Sequence, residues 1–303
     1  MIRPRRGRPW NEWFGIRYRF HPLFSILLLL SVWTGYFIET ATLFGIVLIH
    51  ELGHVAAARS FGWRIREVHL LPFGGVASME EPGGVPAVQE LVVALAGPLQ
   101  NVWMMAVGSF LTAVGLFSEP WGPYFVQANL LIALFNLLPV LPLDGGKVMQ
   151  VLVGLWLPYQ RTIQVTAGVS LFLSALLIGA ACVHLLSEKG GIQLNWLMIG
   201  LFLLYSNWYE WRSAPYRFMR FLVHREAQFK HIRDGTGELA GPIVVPGNRK
   251  VTEVVRLFMR DRYHLVYVLD DKGRIRYVVP ERAVLAHYFD ETKRGKSLAE
   301  LFA

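Results

Sequence analysis

The chain has 303 residues, of which 53% are hydrophobic and 17% charged, against about 25% charged in an average soluble domain. Mean hydropathy is +0.37 and the net charge is +8. These values exclude a disordered chain and argue against an ordinary cytosolic enzyme, and a single cysteine, Cys182, excludes an intrachain disulfide framework.

The charge is uneven. Six arginines (Arg3, Arg5, Arg6, Arg8, Arg17, Arg19) face one acid, Glu12, in the first 19 residues, and 18 bases face 12 acids from Glu210 onward. The middle of the chain is apolar. Segments at about 22–38, 41–61, 88–115, 124–143, 164–186 and 191–209 approach the roughly 20 apolar residues that a membrane helix needs. The fourth is broken near its end by Pro139 and Pro142, which remove backbone donors. A broken helix at membrane depth is tolerated only inside protein or beside a wet cavity. Loops on one side carry only Glu39, Glu119, and Glu188 with Lys189; the other side receives the arginine-rich start, Arg64, Arg66, Lys147, Arg161 and the basic C-terminal region. The positive-inside rule then puts both termini in the cytoplasm. The basic start followed by an apolar run is a retained span, since no small-residue cleavage site follows it.

Residues 213–233 read as a basic, aromatic-studded juxtamembrane helix suited to anionic headgroups, or as a solvated connecting helix. A glycine-rich linker, DGTGELAGP, follows. From Ile243 a small α/β module is expected, with a helix over VTEVVRLFMRDR and a hairpin at the Asp-Lys-Gly turn. The predicted fold is thus an α-helical polytopic membrane protein of about six transmembrane helices with a small cytoplasmic α/β domain. Its divisions are a membrane domain 1–210, a juxtamembrane helix and linker 211–242, and a C-terminal module 243–303.

The chemistry lies in the second span, at His50-Glu51-Leu52-Gly53-His54. Histidines at i and i+4 share a helix face and can grip one tetrahedral zinc ion. Glu51 stands beside them as a base. This is the HExxH metalloprotease pattern, with about 0.014 chance occurrences expected from the histidine and glutamate content here. Ionisable groups at membrane depth are costly and default to functional. Catalytic zinc takes three protein ligands, so a third is needed. Asp144, just after the double-proline break and before Gly145 and Gly146, is the candidate; alone it would read as a turn aspartate. His21, His69 and His184 read as interfacial or packing residues, and Gly97-Pro98 as a site of close helix packing and a kink. Within 62–87, HLLPFGGVAS, with Phe73, Gly74 and Gly75, reads either as an edge that pairs with extended substrate or as a plain surface loop.

HELGH in an apolar helix, followed by Asn136-Leu-Leu-Pro139 and Leu143-Asp144-Gly145, resembles the site-2 protease family of intramembrane zinc metalloproteases. LLPFGG at 70–75, AGPLQ at 96–100, PLDGGK at 142–147 and a single CBS-like C-terminal module extend the resemblance to the family's sporulation branch. The resemblance implies one zinc ion per chain on His50, His54 and Asp144, with Glu51 as catalytic base and Asn136 positioning substrate or stabilising the oxyanion. It further implies a membrane-associated substrate of the pro-sigma-K type, cleaved in the mother-cell membrane that surrounds the forespore. Inhibitory membrane partners, a homo-oligomer and ATP sensing by the CBS-like module are implied in the same way. The module departs from the usual CBS pattern in RIRYVV and at Glu281-Arg282, so no nucleotide contact is assigned.

The alternative from another class is a membrane metal-ion carrier using the same His, Glu and Asp groups. Carriers usually show matching broken helices in two halves, and one broken span is found here. No nucleic-acid-binding motif accompanies the basic tail, so no nucleic acid partner is expected.

Overall fold

The computed structural model of the chain describes residues 12–13, 16–20, 22–71, 74–80, 85–183, 193–228 and 240–302. Phe73, His21 and His184 lie outside them. Contacts divide the chain into two compact units, one of residues 1–82 and 88–138, the other of residues 83–87 and 139–303.

The first unit opens with β1 (Glu12–Trp13) and β2 (Ile16–Phe20), then α1 (Pro22–Thr34) and α2 (Phe37–Ser60). Gly35, at φ +82°, makes the turn between the two helices in a backbone region open to glycine. The segment carrying HLLPFGGVAS forms β3 (Arg64–Leu71) and β4 (Gly74–Glu80) rather than an irregular loop. The sheet runs β1-β2-β3-β4, so β4 is an edge strand, with Gly74 opposite Leu71 and Gly75 opposite Leu70. α3 (Ala87–Ala113) and α4 (Trp121–Asn136) complete the unit. Ile46, Met104 and Ala128, one from each of α2, α3 and α4, form its buried centre with Phe125 and Ile132. The approach of α2 to α3 depends on small residues: a Cβ on Gly53 would lie 2.7 Å from the Ala96 carbonyl oxygen.

The second unit holds α5 (Asp144–Gly154), α6 (Tyr159–Val183) and α7 (Leu194–Gln228). The predicted fourth span therefore ends at Asn136, and a new helix begins at Asp144 beyond the two prolines. α6 and α7 run antiparallel, with Ile178 against Gly200 and Gly168 against Trp211. After β5 (Ala240–Pro246) come a short helix, α8 (Val251–Val254), a 3-10 turn over Val255–Leu257, then β6 (Tyr263–Leu269) and β7 (Ile275–Pro280). β5 and β6 are parallel, β6 and β7 antiparallel. The hairpin turn falls where expected, closed by Gly273 at φ +74°. α9 (Glu281–Phe289) and α10 (Leu298–Phe302) finish the module.

Three helices among the described residues are long and apolar enough to cross a membrane: α2, α3 and α6. α1 and α4, with 13 and 16 residues, are shorter than the predicted spans. The helix expected over VTEVVRLFMRDR closes within two turns at Leu257, and residues 240–242, expected in the linker, belong to β5. The largest difference concerns α7. Its C-terminal half was expected to lie against lipid or in solvent. Instead Phe218 and Leu222 enter the module's core beside Val251, Phe258, Val266 and Val284. The face that an aromatic-rich basic sequence offers to headgroups is here used to bury apolar surface against a domain, the stronger outlet for it.

Candidate active site and metal centre

α2 carries His50 and Glu51 on one turn and His54 on the next, and one candidate ligand atom from each falls within 4.8 Å of the others. Both imidazoles are buried; Glu51 is half-buried. The two Nε2 atoms are 3.1 Å apart.

The hydrogen bonds fix what those nitrogens can do. Asn129 donates through Nδ2 to the Phe125 carbonyl at 2.9 Å, so its Oδ1 is the acceptor for Asn101 Nδ2 at 3.1 Å. Asn101 Oδ1 is then turned to His50, whose Nδ1 donates to it at 2.6 Å. His54 Nδ1 donates to the Val93 carbonyl at 2.7 Å. With both Nδ1 protons committed to oxygen, each neutral ring presents a lone pair at Nε2. Two lone pairs face one another at 3.1 Å. They repel unless a cation lies between them, and two zinc-bound imidazoles in tetrahedral geometry place their nitrogens about 3.4 Å apart. Oriented histidines of this kind, each held through its second nitrogen, are characteristic of metal ligands.

Gly97 of α3 lies directly against both rings. A Cβ there would stand 2.3 Å from His54 Nε2 and 2.6 Å from His50 Nε2. The pair Gly97-Pro98 is expected from sequence to serve packing and a kink; the structure adds that the missing side chain faces the Nε2 atoms of both histidines. Asn101, Asn129, Gly97 and the Val93 carbonyl were all missed from sequence. A signal existed, since asparagines inside apolar helices must find partners.

Asn136 is the last residue of α4; its Nδ2 donates to the Ile132 carbonyl one turn back at 3.0 Å. It is not part of the histidine cluster. Asp144 belongs to the second unit, where it is buried as the first residue of α5. A carboxylate suits that position, since helix N-termini present partial positive charge. Lys147, one turn on, lies 3.5 Å from its Oδ1. Gly74 and Gly75 open the edge strand β4.

The profile of peptidase family M50 matches residues 38–120, the stretch that contains α2 and α3. Stage IV sporulation protein FB of Bacillus subtilis is 33% identical over 293 residues, 96% of this chain and 98% of that protein. A zinc metalloprotease of Methanocaldococcus jannaschii is 26% identical over 239 residues, 77% of this chain and 64% of the relative. Among solved structures, a site-2 protease from the same archaeon superposes with a TM-score of 0.52 at 26% identity, covering 66% of this chain and 93% of that one. The chain belongs to peptidase family M50, the site-2 proteases. It is an intramembrane zinc metalloprotease, a membrane-embedded hydrolase of peptide bonds, and the ion-carrier alternative gives way to that membership.

Gly97→Ala is expected to weaken zinc retention by roughly 10–100-fold, the scale of outer-shell perturbations. The added methyl must push aside both imidazoles at once. Zinc content of the purified protein, measured against a chelator titration, checks this; retention equal to wild type would show that the rings can yield.

Proposed function

We propose that His50 and His54 hold the zinc ion together with Asp144, and that Glu51 is the catalytic base. The paired Nε2 lone pairs, with both Nδ1 protons committed elsewhere, carry this reading. Asp144 is supported by the family resemblance of its Leu-Asp-Gly context and by its burial. A zinc ion bound there supplies Lewis acidity to a scissile carbonyl and to the attacking water. Glu51 accepts the water's proton on a carboxylate oxygen and later returns it to the leaving amine. Asn101 and Val93 hold the two imidazoles in one tautomer throughout.

The substrate is a membrane-associated precursor of the pro-sigma-K type, the role implied by resemblance to the sporulation branch. Proteolysis requires extended backbone, and β4, beginning at Gly74 and Gly75 next to Phe73, is an edge strand among the described residues and offers its outer backbone groups to receive it. Asn136 orients the substrate near the scissile bond. The membrane domain spans the bilayer about six times with both termini cytoplasmic, in the mother-cell membrane around the forespore. The region 243–303 is a CBS-like regulatory module that senses ATP within a homo-oligomer, and membrane partner proteins inhibit the enzyme.

The test is co-expression of the full chain with pro-sigma-K, comparing wild type with Asp144→Ala by gel mobility and by zinc content. Wild type is expected to shorten the precursor, and the variant to lose both zinc and processing. Zinc-loaded wild type that leaves the precursor intact would overturn the substrate, and processing by Asp144→Ala at the wild-type rate would overturn the ligand set.

A further inference from the structure

Three residues before Asp144, both backbone polar groups of Leu141 are taken by side chains of other helices. Its N–H donates to Ser170 Oγ of α6 at 3.0 Å, and its carbonyl accepts from Asn207 Nδ2 of α7 at 2.6 Å. The same Nδ2 lies 2.8 Å from the Leu203 carbonyl and 3.3 Å from Ser174 Oγ. Ser170 and Asn207 are both 0% exposed.

From Leu141 the path to Asp144 is short and stiff. Leu143 N–H donates to the Val140 carbonyl at 2.9 Å, and the N–H groups of Gly146 and Lys147 return to the Leu143 carbonyl at 3.0 and 3.2 Å. The first turn of α5 is pressed onto this segment: a Cβ on Gly146 would stand 2.5 Å from the Leu141 nitrogen. A shift of Leu141 is therefore carried into Asp144 without slack.

Asn207 is a poor choice for helix packing alone. Its Oδ1 is buried and accepts no hydrogen bond among the described residues. An unpaired buried acceptor costs stability, and a leucine of similar volume would avoid that cost. What leucine cannot do is donate to the Leu141 carbonyl.

We propose that Asn207 of α7, with Ser170 of α6, is a positioning pair that clamps Leu141 and so aims the Asp144 carboxylate. The inference rests on the assignment of Asp144 as a metal ligand. Second-layer groups of this kind set ligand orientation, and their loss typically weakens metal affinity or activity about 10–100-fold.

The experiment uses the full chain in detergent, loaded with zinc and titrated with a chromophoric chelator, with thermal unfolding measured alongside. Four variants are compared: Asn207→Leu, Ser170→Ala, Asp144→Ala and Thr166→Val. Thr166 is an equally buried hydroxyl of α6 bonded within its own helix, and serves as the packing control. Asn207→Leu is expected to release zinc at about 10–100-fold lower chelator concentration while its unfolding midpoint stays near wild type. Ser170→Ala shifts in the same direction, and Thr166→Val does not shift. Wild-type retention in Asn207→Leu overturns the proposal, as does an equal loss in Thr166→Val, which would mark a packing effect. If Asn207→Leu fails to fold, wild-type retention in Ser170→Ala overturns it instead. Should Asp144→Ala itself retain zinc like wild type, the ligand assignment fails and the positioning role falls with it. Loss in Asp144→Ala beside wild-type retention in Asn207→Leu removes the positioning role alone.

Discussion

Glu51→Gln is expected to slow processing by about 10²–10⁴-fold, the contribution of a positioned general base, with zinc content unchanged at one per chain. Glutamine keeps the length and planarity of the side chain, so the packing of α2 against α3 is preserved. The Nδ1 contacts of the imidazoles with Asn101 and the Val93 carbonyl are kept as well. What disappears is a carboxylate oxygen able to hold a proton within a few ångströms of the histidine nitrogens. Purified full-length protein, assayed for precursor cleavage and for bound zinc on the same preparation, checks both halves. Wild-type cleavage by Glu51→Gln would remove Glu51 from the chemistry. Loss of zinc together with cleavage would instead make Glu51 part of the metal's hold.

The HELGH pair was legible because its geometry is local: i and i+4 on a helix face one way whatever else the chain does. The break after Asn136 was legible for the same reason, since proline acts on its own turn. The support for the histidines was not. Asn101 reaches His50 across 51 residues and Asn129 reaches Asn101 across 28, and no periodicity encodes which asparagine meets which histidine. Gly97 shows the limit well. Its sequence context announces close packing but cannot say that the neighbour is an imidazole rather than an aliphatic side chain. In α7 composition showed only part of the answer. Basic and aromatic residues at 213–233 suit a lipid surface, yet among the described ones Phe218, Leu222 and Arg225 are buried against residues of the module far along the chain. A single arginine in a basic run carries no mark of being the buried one.

That arginine supports the second large effect. Arg225→Met is expected to destabilise the C-terminal module by about 3–5 kcal/mol, the cost of breaking a buried ion pair by removing one partner. Arg225 and Glu281 are each 1% exposed. The guanidinium of α7 pairs with both carboxylate oxygens of Glu281 and donates to the Arg260 and Arg262 carbonyls at the entrance to β6. His264, its Nε2 accepting from Met259 N–H at 3.3 Å, donates through Nδ1 to Glu281 Oε2 at 3.1 Å and stacks on Phe258. Burial alone would push the Glu281 carboxyl up, but the hydrogen bonds from His264 and Arg225, with the charge of Arg225, outweigh it and hold the group below its ordinary 4.5. A carboxylate depressed on folding contributes stability above pH 4.5 that is lost as pH falls through its folded value. Without Arg225 the burial effect is left less opposed, so acid weakening of the module should begin at higher pH than in wild type. Hydrogen exchange of module amides in the full chain, followed from neutral to acid pH, measures both the loss at neutrality and the displaced acid limb. Replacing both partners, as Arg225→Met with Glu281→Leu, should recover much of the stability, because no buried charge is then left unpaired. Protection of the single variant equal to wild type would mean that His264 and the backbone donors hold Glu281 unaided. In that case the apolar contacts of α7, Phe218 and Leu222 with Met219 and Phe221 beside them, would suffice to join it to the module.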